Sequence, residues 1–149
     1  MKRFLLSFFI LSFISCVSAA QPSPLDRAKS YYISNFPLGE AAEWGRQNEG
    51  YVVSFYDRES ARPVEMEFDN KGRWRETTMS IETEKLSDDI LSYVAERFER
   101  SYTTAYVLQR KRKQDQYGLV VDTPTHIYTL LFSKKGELVE QYSEGLDGG

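Results

Sequence analysis

The stretch Val64-Glu-Met66-Glu-Phe68-Asp-Asn-Lys-Gly72-Arg-Trp74 decides how this chain reads. Val64, Met66 and Phe68 alternate with Glu65 and Glu67, the period-two pattern of a strand with one apolar and one polar face. Asp69-Asn-Lys-Gly72 then supplies turn chemistry, its glycine placed to take the left-handed position of a four-residue hairpin loop. At an offset of 64 residues the device recurs as Tyr128-Thr-Leu130-Leu-Phe132-Ser-Lys-Lys-Gly136-Glu-Leu138. Upstream, Tyr51-Val-Val53-Ser-Phe55 lies over Tyr117-Gly-Leu119-Val-Val121 at offset 66, and Trp44 lies over Leu108 at 64. The chain reads as two copies of one unit.

Each copy opens with a helix. In the first, Ser23 caps and Pro24 takes the first helical position, where its missing N–H costs nothing. Leu25, Ala28, Tyr32 and Phe36 fall on one face, and Pro37 and Gly39 end the segment. In the second, Ser87 caps, Asp88 and Asp89 meet the positive end of the helix dipole, and Leu86 and Leu91 form a hydrophobic staple. Leu86, Ile90, Leu91, Val94, Ala95 and Phe98 make its buried stripe. Asn48-Glu49-Gly50 is a further tight turn. The expected fold is α+β: two tandem repeats, about residues 24–82 and 86–142. Each is one helix followed by an antiparallel meander of about four strands, with the helices packed on one face of the sheet. Residues 143–149, with three glycines, read as a flexible tail.

Residues 1–20 read as a secretory signal peptide. Lys2 and Arg3 precede an apolar run from Phe4 to Ser15, and Val17-Ser-Ala19-Ala20 offers small residues for cleavage. The run is too short to span a membrane, so an exported, periplasmic or extracellular protein is expected. A second reading centres on Cys16. Phe13-Ile-Ser-Cys16 loosely resembles a lipobox, in which the cysteine is acylated and anchors a lipoprotein; Phe13 stands where leucine is usual. A membrane is expected as a partner only on that reading.

Composition removes most other classes. One Cys and one His leave no Cys/His zinc site, Cys–His nucleophile pair or disulfide framework. The formal charge is −3, and without the leader's Lys2 and Arg3 there are 17 basic against 22 acidic residues, or −5. An acidic surface disfavours nucleic acid as a partner. No Gly-rich phosphate loop follows a strand and no Gly-x-Ser-x-Gly occurs. No cofactor or metal is implied.

The Phe36-Pro37…Trp44…Gly50-Tyr51-x-Val-x-Phe55 run, the Val64–Trp74 motif and the leader together resemble a bacterial family of exported proteins with PepSY-like, beta-lactamase-inhibitor-like domains. The resemblance covers roughly residues 24–142, nearly all of the PepSY-like domain expected over residues 21–142. The second copy departs from it, with Leu138 in the place of Trp74 and Tyr102-Thr-Thr in the place of Phe36-Pro37. The resemblance implies a non-enzymatic binding module. The beta-lactamase inhibitor protein of similar architecture grips its target with the open face of its sheet, and PepSY domains are thought to restrain or bind peptidases. No target carries over, because contacting residues are not part of the shared motif.

The residues themselves offer few sites. His126 has no second ligand beside it, and Asp57, Glu59 and Asp69 look like turn chemistry. Glu65 and Glu67 share a strand face, but paired acid–base work needs surroundings that separate their pKa values, which a solvated face does not supply. Arg110-Lys-Arg-Lys113 reads either as a charged tip that resists strand pairing or as a contact for an acidic partner or anionic membrane. If the Val53 and Met66 face is buried, the open positions are Val52, Ser54, Tyr56, Glu65 and Glu67, then Gly118, Val120, Asp122, Thr129 and Leu131. The expected partner-binding set is Tyr56, Glu65, Glu67, Trp74, Val120 and Leu131. Alternation through Arg73–Ile81 leaves the direction of Trp74 open. The leading expectation is an exported module holding a protein or peptide partner on that face. The alternatives are a lipid-anchored structural component of the envelope and a hydrolase built on Glu65 and Glu67.

Overall fold

A computed structural model describes residues 21–98 and 101–146. The leader and Cys16 lie outside the described residues. Helix α1 (Pro24–Asn35) is followed by strands β1 (Gly39–Gln47), β2 (Gly50–Asp57), β3 (Arg62–Asp69) and β4 (Trp74–Ile81). A short 3-10 turn (Thr83–Lys85) leads into α2 (Asp88–Arg97), then β5 (Tyr102–Arg110), β6 (Gln116–Asp122), β7 (His126–Phe132) and β8 (Leu138–Gly145). Among the described residues no helix is long and apolar enough to cross a membrane.

Helix α1 starts as its sequence directs, whereas Ser87 stands at the N-cap of α2 without a side-chain cap bond, so only the acids Asp88 and Asp89 mark that start. Ser23 Oγ accepts the N–H of Asp26 at 3.1 Å, and Pro24 fills the first turn. Phe36 ends α1 by donating its N–H to Tyr32 O, and Phe98 ends α2 by donating to Val94 O. All eight strands form one antiparallel sheet in chain order, β1 to β8. Residues opposite one another in a ladder point to the same face. The row Val64–Met79–Val107–Tyr117–Phe132 therefore runs across five strands on one side.

Both helices cover that side. Under α1, Ala28 and Tyr32 pack with Val53, Phe55, Val64, Met66 and Phe68. Under α2, Ile90 and Val94 pack with Ala105, Leu119, Val121, Leu130 and Phe132. Phe68 and Phe132, at matching places in the two clusters, are fully buried. Each contributes roughly 1.5–3 kcal/mol by leaving water.

A one-residue bulge settles Trp74. Glu67 pairs with Glu76 but Phe68 pairs with Trp74, so Arg75 is an extra residue in β4. The insertion reverses the alternation and turns the indole to the covered face. There it stacks on Tyr31 of α1 at 5.8 Å, and its Nε1–H donates to Thr77 Oγ1 at 2.8 Å. Trp74 thus leaves the expected partner-binding set. In β8 the same slip leaves Val139 extra between Leu138 and Glu140.

Two other expectations change. Trp44 does not match Leu108: it pairs with Val53 on the covered face and packs against Tyr32, whereas Leu108 pairs with Thr78 and Gln116 on the opposite face. The offset of 64 fails there because the β5–β6 connection is longer: Trp44 and Val53 pair nine residues apart, whereas Leu119, the match of Val53, pairs with Ala105 fourteen residues before it. Separately, β1 carries an extra residue between Glu40 and Glu43, with Ala41 at φ 51°. The expected tail is also strand as far as Gly145, because Ser143, Glu144 and Gly145 pair with Tyr128, Ile127 and His126. Backbone pairing outweighs the glycines.

The two glycine turns share one geometry. Gly72 (φ 71°) donates to Asp69 O and Gly136 (φ 84°) to Ser133 O. The side-chain oxygens of Asp69 and Ser133 each accept two backbone N–H groups of their own turn. Their surroundings differ. A Cβ on Gly72 would sit 1.9 Å from the carbonyl oxygen of Pro24, whereas one on Gly136 would first meet Ser87 Oγ at 3.2 Å. Urea unfolding should therefore show Gly136→Ala costing about 1 kcal/mol for its backbone angle alone, and Gly72→Ala about 3 kcal/mol or more. Equal losses would contradict the close seating of α1 on its turn.

Candidate partner-binding face

The side of the sheet away from the helices is built from rows of paired residues. One row runs Ser54–Glu65–Thr78–Leu108–Gln116, and the next Val52–Glu67–Glu76–Arg110. A third runs Ser80–Tyr106–Gly118–Leu131–Glu140, and a fourth Thr104–Val120–Thr129–Tyr142. Tyr56, opposite Glu40 and Pro63, completes the β1 side. The expected set of Tyr56, Glu65, Glu67, Val120 and Leu131 thus occupies one face, with Trp74 on the other.

Exposure varies within it. Tyr56 keeps 43% of its surface and Glu65 is exposed, while Glu67 and Val120 are half-buried. Leu131 is 2% exposed and Leu108 4%, although neither α1 nor α2 covers them, so Leu131 also leaves the expected partner-binding set. Neighbours on the same face cover them. Gly118 leaves room for the Tyr106 ring to lie over it, where a Cβ would come within 2.1 Å of the ring. Tyr106 is among the half-buried residues, and burial pushes its phenol up.

Charge on this face is knitted at the seam between β4 and β5. Arg110 Nε lies 3.1 Å from Glu76 Oε2, and its Nη1 lies 3.9 Å from Glu140 Oε1 on β8. Tyr142 donates its hydroxyl to Glu140 Oε2 at 2.6 Å, and that bond holds its proton above the usual tyrosine range. Toward β2, Ser54 donates to Glu65 Oε2 at 3.0 Å. Burial raises Glu67 above the usual carboxylate range, and the Glu76 charge adds to the rise against the opposing pull of Arg75. One raised carboxylate beside an exposed one, with only the Ser54 hydroxyl bonded to Glu65 and no histidine beside either, is a poor acid–base pair.

The remaining polar residues serve turns. Asp57 is 5% exposed; burial alone would raise it, but bonds from the Ser60 hydroxyl, the Ser60 N–H and the Glu59 N–H together bring it below the ordinary value. Asp69 is lowered likewise, burial being outweighed by Arg73 and the Lys71 N–H. His126 opens β7, donating its N–H to Thr123 Oγ1 while its ring meets Thr125 Oγ1. Among the described residues no three His, Cys, Asp or Glu side chains converge as a metal site would require. Sequence reasoning missed the Glu76–Arg110–Glu140 link, because no signal in one chain pairs β4 with β5 or brings β8 near.

The family described as "Putative beta-lactamase-inhibitor-like, PepSY-like" matches residues 49–140, from the turn before β2 into β8. The chain belongs to this PepSY-like family. Solved structures share the fold. A BLIP-like protein of Bacteroides fragilis is 18% identical, with a TM-score of 0.67 over 88% of this chain and 94% of the other. A DUF2874 family protein of Bacteroides ovatus is 14% identical, with a TM-score of 0.68 over 82% and 89%. A Bacteroides eggerthii protein described as "putative periplasmic" is 17% identical, with a TM-score of 0.69 over 79% and 87%. No curated protein matches the PepSY-like chain.

The shifted carboxyls fix a pH response. Asp57 and Asp69 fall below their ordinary value on folding, so their contribution is complete above about pH 4, the unfolded value, and fades as pH falls through the folded ones. Glu67 has the opposite sign: its raised folded value makes the ionised form a cost at neutral pH that protonation removes. Thermal unfolding should show Asp57→Asn losing stability at pH 7 and much less below pH 3. Glu67→Gln should gain at pH 7 and lose that gain near pH 4. Parallel pH profiles for wild type and either variant would refute the assignment.

Proposed function

We propose that this chain is an exported, non-enzymatic binding module that holds a protein or peptide partner on the helix-free face of its sheet. One observation carries the reading: both helices lie on the same side, leaving eight paired strands with an exposed tyrosine among carboxylates and the half-buried Tyr106 and Val120 beside them. Exposed aromatics next to partly apolar surface mark protein interfaces. The inhibitor-like description of the family agrees with occlusion rather than covalent chemistry. The leader supports export, and acylation of Cys16 would tether the same module to a membrane.

We also read the domain as two copies of one unit joined edge to edge. In support, α1 with β1–β4 is followed by α2 with β5–β8, and the pairs Val53–Met66 and Leu119–Leu130 keep register at offsets of 66 and 64. The bulges at Arg75 and Val139 and the turns at Gly72 and Gly136 recur at 64.

The test is a crosslinked pull-down from native envelope extract with the mature domain, beside a Tyr56→Ala/Glu65→Ala/Glu67→Ala variant. A partner held by the wild type should be lost by the triple variant, with Tyr56→Ala alone costing about 2 kcal/mol or more of binding and unfolding unchanged. Trp74→Ala should instead lower the unfolding midpoint. A partner captured equally by both baits would move the site off this face. An intact mass of the native protein tells a cleaved leader from an acylated Cys16.

A further inference from the structure

The basic run Arg110–Lys113 divides between two environments. Arg110 is half-buried in β5 and engaged on the open face, whereas Lys111, Arg112 and Lys113 form the exposed β5–β6 turn. A charged tip that guards against strand pairing belongs at a sheet edge. β5 and β6 are interior strands, with partners on both sides. Edge protection does not account for these charges.

The turn stands beside Arg75, the inserted residue of β4, whose carbonyl accepts the Lys111 N–H at 3.4 Å. Between this turn and the β3–β4 turn lies an open cleft of about 720 Å³, lined by six cationic side chains and two acids. Both acids are already engaged, Asp69 by Arg73 at 2.6 Å and Glu76 by Arg110 at 3.1 Å. Arg75, Lys111, Arg112 and Lys113 have no ion-pair partner among the described residues. Four unmatched like charges in one recess of a chain with net charge −3 repel one another. Arg112 adds backbone strain at φ 63°, where glycine would be at ease.

We propose that this cleft docks an acidic segment of a partner protein, a run of Asp and Glu side chains. The cations line a recess, which suits a chain entering it better than a flat lipid surface. They come from strand β4 and from the β5–β6 turn, so they match several carboxylates along a peptide better than one small anion. The guanidinium groups of Arg75 and Arg112 suit two-pronged bonding to carboxylates. The cleft needs none of Tyr56, Glu65 or Glu67, so it stands or falls apart from the function proposed above.

The experiment is fluorescence anisotropy of labelled octaglutamate with the mature chain, with octalysine and phosphatidylglycerol vesicles as comparisons. Octaglutamate should bind at low salt and weaken as salt rises. Reversing the turn with Lys111→Glu/Arg112→Glu/Lys113→Glu should lower affinity about tenfold or more, and Arg75→Glu, on a different strand, about fivefold. Lys135→Glu, on the β7–β8 turn, should leave it unchanged. Arg112→Gly keeps the fold safe: it should raise the melting temperature by releasing strain while weakening octaglutamate binding. No binding by folded wild type, or binding indifferent to the reversals, would overturn the proposal. So would tighter, equally variant-sensitive binding to the vesicles, which would make the cleft a membrane contact. The Tyr56→Ala/Glu65→Ala/Glu67→Ala variant should keep octaglutamate binding, which separates this failure from that of the open-face reading.

Discussion

The antiparallel pairing of β4 with β5 is the constraint on which the rest of the molecule depends. Six residue pairs, from Glu76–Arg110 to Ile81–Ala105, join two meanders into one sheet. Because the ladder is continuous, the apolar faces of both halves point the same way, and α1 and α2 are obliged to cover the same side. Among the described residues, neither helix covers the opposite side. A break or a one-residue slip at this seam would turn one half over and bury its carboxylates.

The seam is also where polar contacts are densest. Glu76 and Arg110 face each other, each about a quarter exposed, and Arg110 leans on to Glu140. Partly shielded pairs of this kind contribute modestly to stability, since losing water offsets much of their attraction. Their effect is geometric: a guanidinium held between carboxylates on β4 and β8 fixes how the two halves lie across the open face. Gly118 allows the Tyr106 ring to lie flat beside this link, and Leu131 and Leu108 become buried without a helix above them.

Local sequence revealed the parts of the fold set by local physics. Ser23-Pro24 and Ser87-Asp88-Asp89 announced the helix starts, and the glycines at 72 and 136 announced turns that require positive φ. Alternation sorted Val53, Met66, Leu119 and Leu130 from Glu65 and Glu67. It failed where a residue was inserted. Arg75 leaves no trace in residue type, yet it alone turns Trp74 inward, and the longer β5–β6 connection defeats the match of Trp44 to Leu108. Ser143–Gly145 looked loose by composition, but a neighbouring strand supplies bonds that composition does not report. The open-face set was legible as positions. The link from Arg110 to Glu140 was not, because it depends on strands 30 residues apart in sequence meeting in space.

A meander of this kind has two unfinished borders, β1 and β8, whose free N–H and C=O groups invite a further strand. Each border strand carries a one-residue insertion, between Glu40 and Glu43 in β1 and at Val139 in β8. An insertion kinks the strand and throws its outer groups out of step with any straight ladder laid beside it. Such irregularities blunt both rims as templates for a further strand.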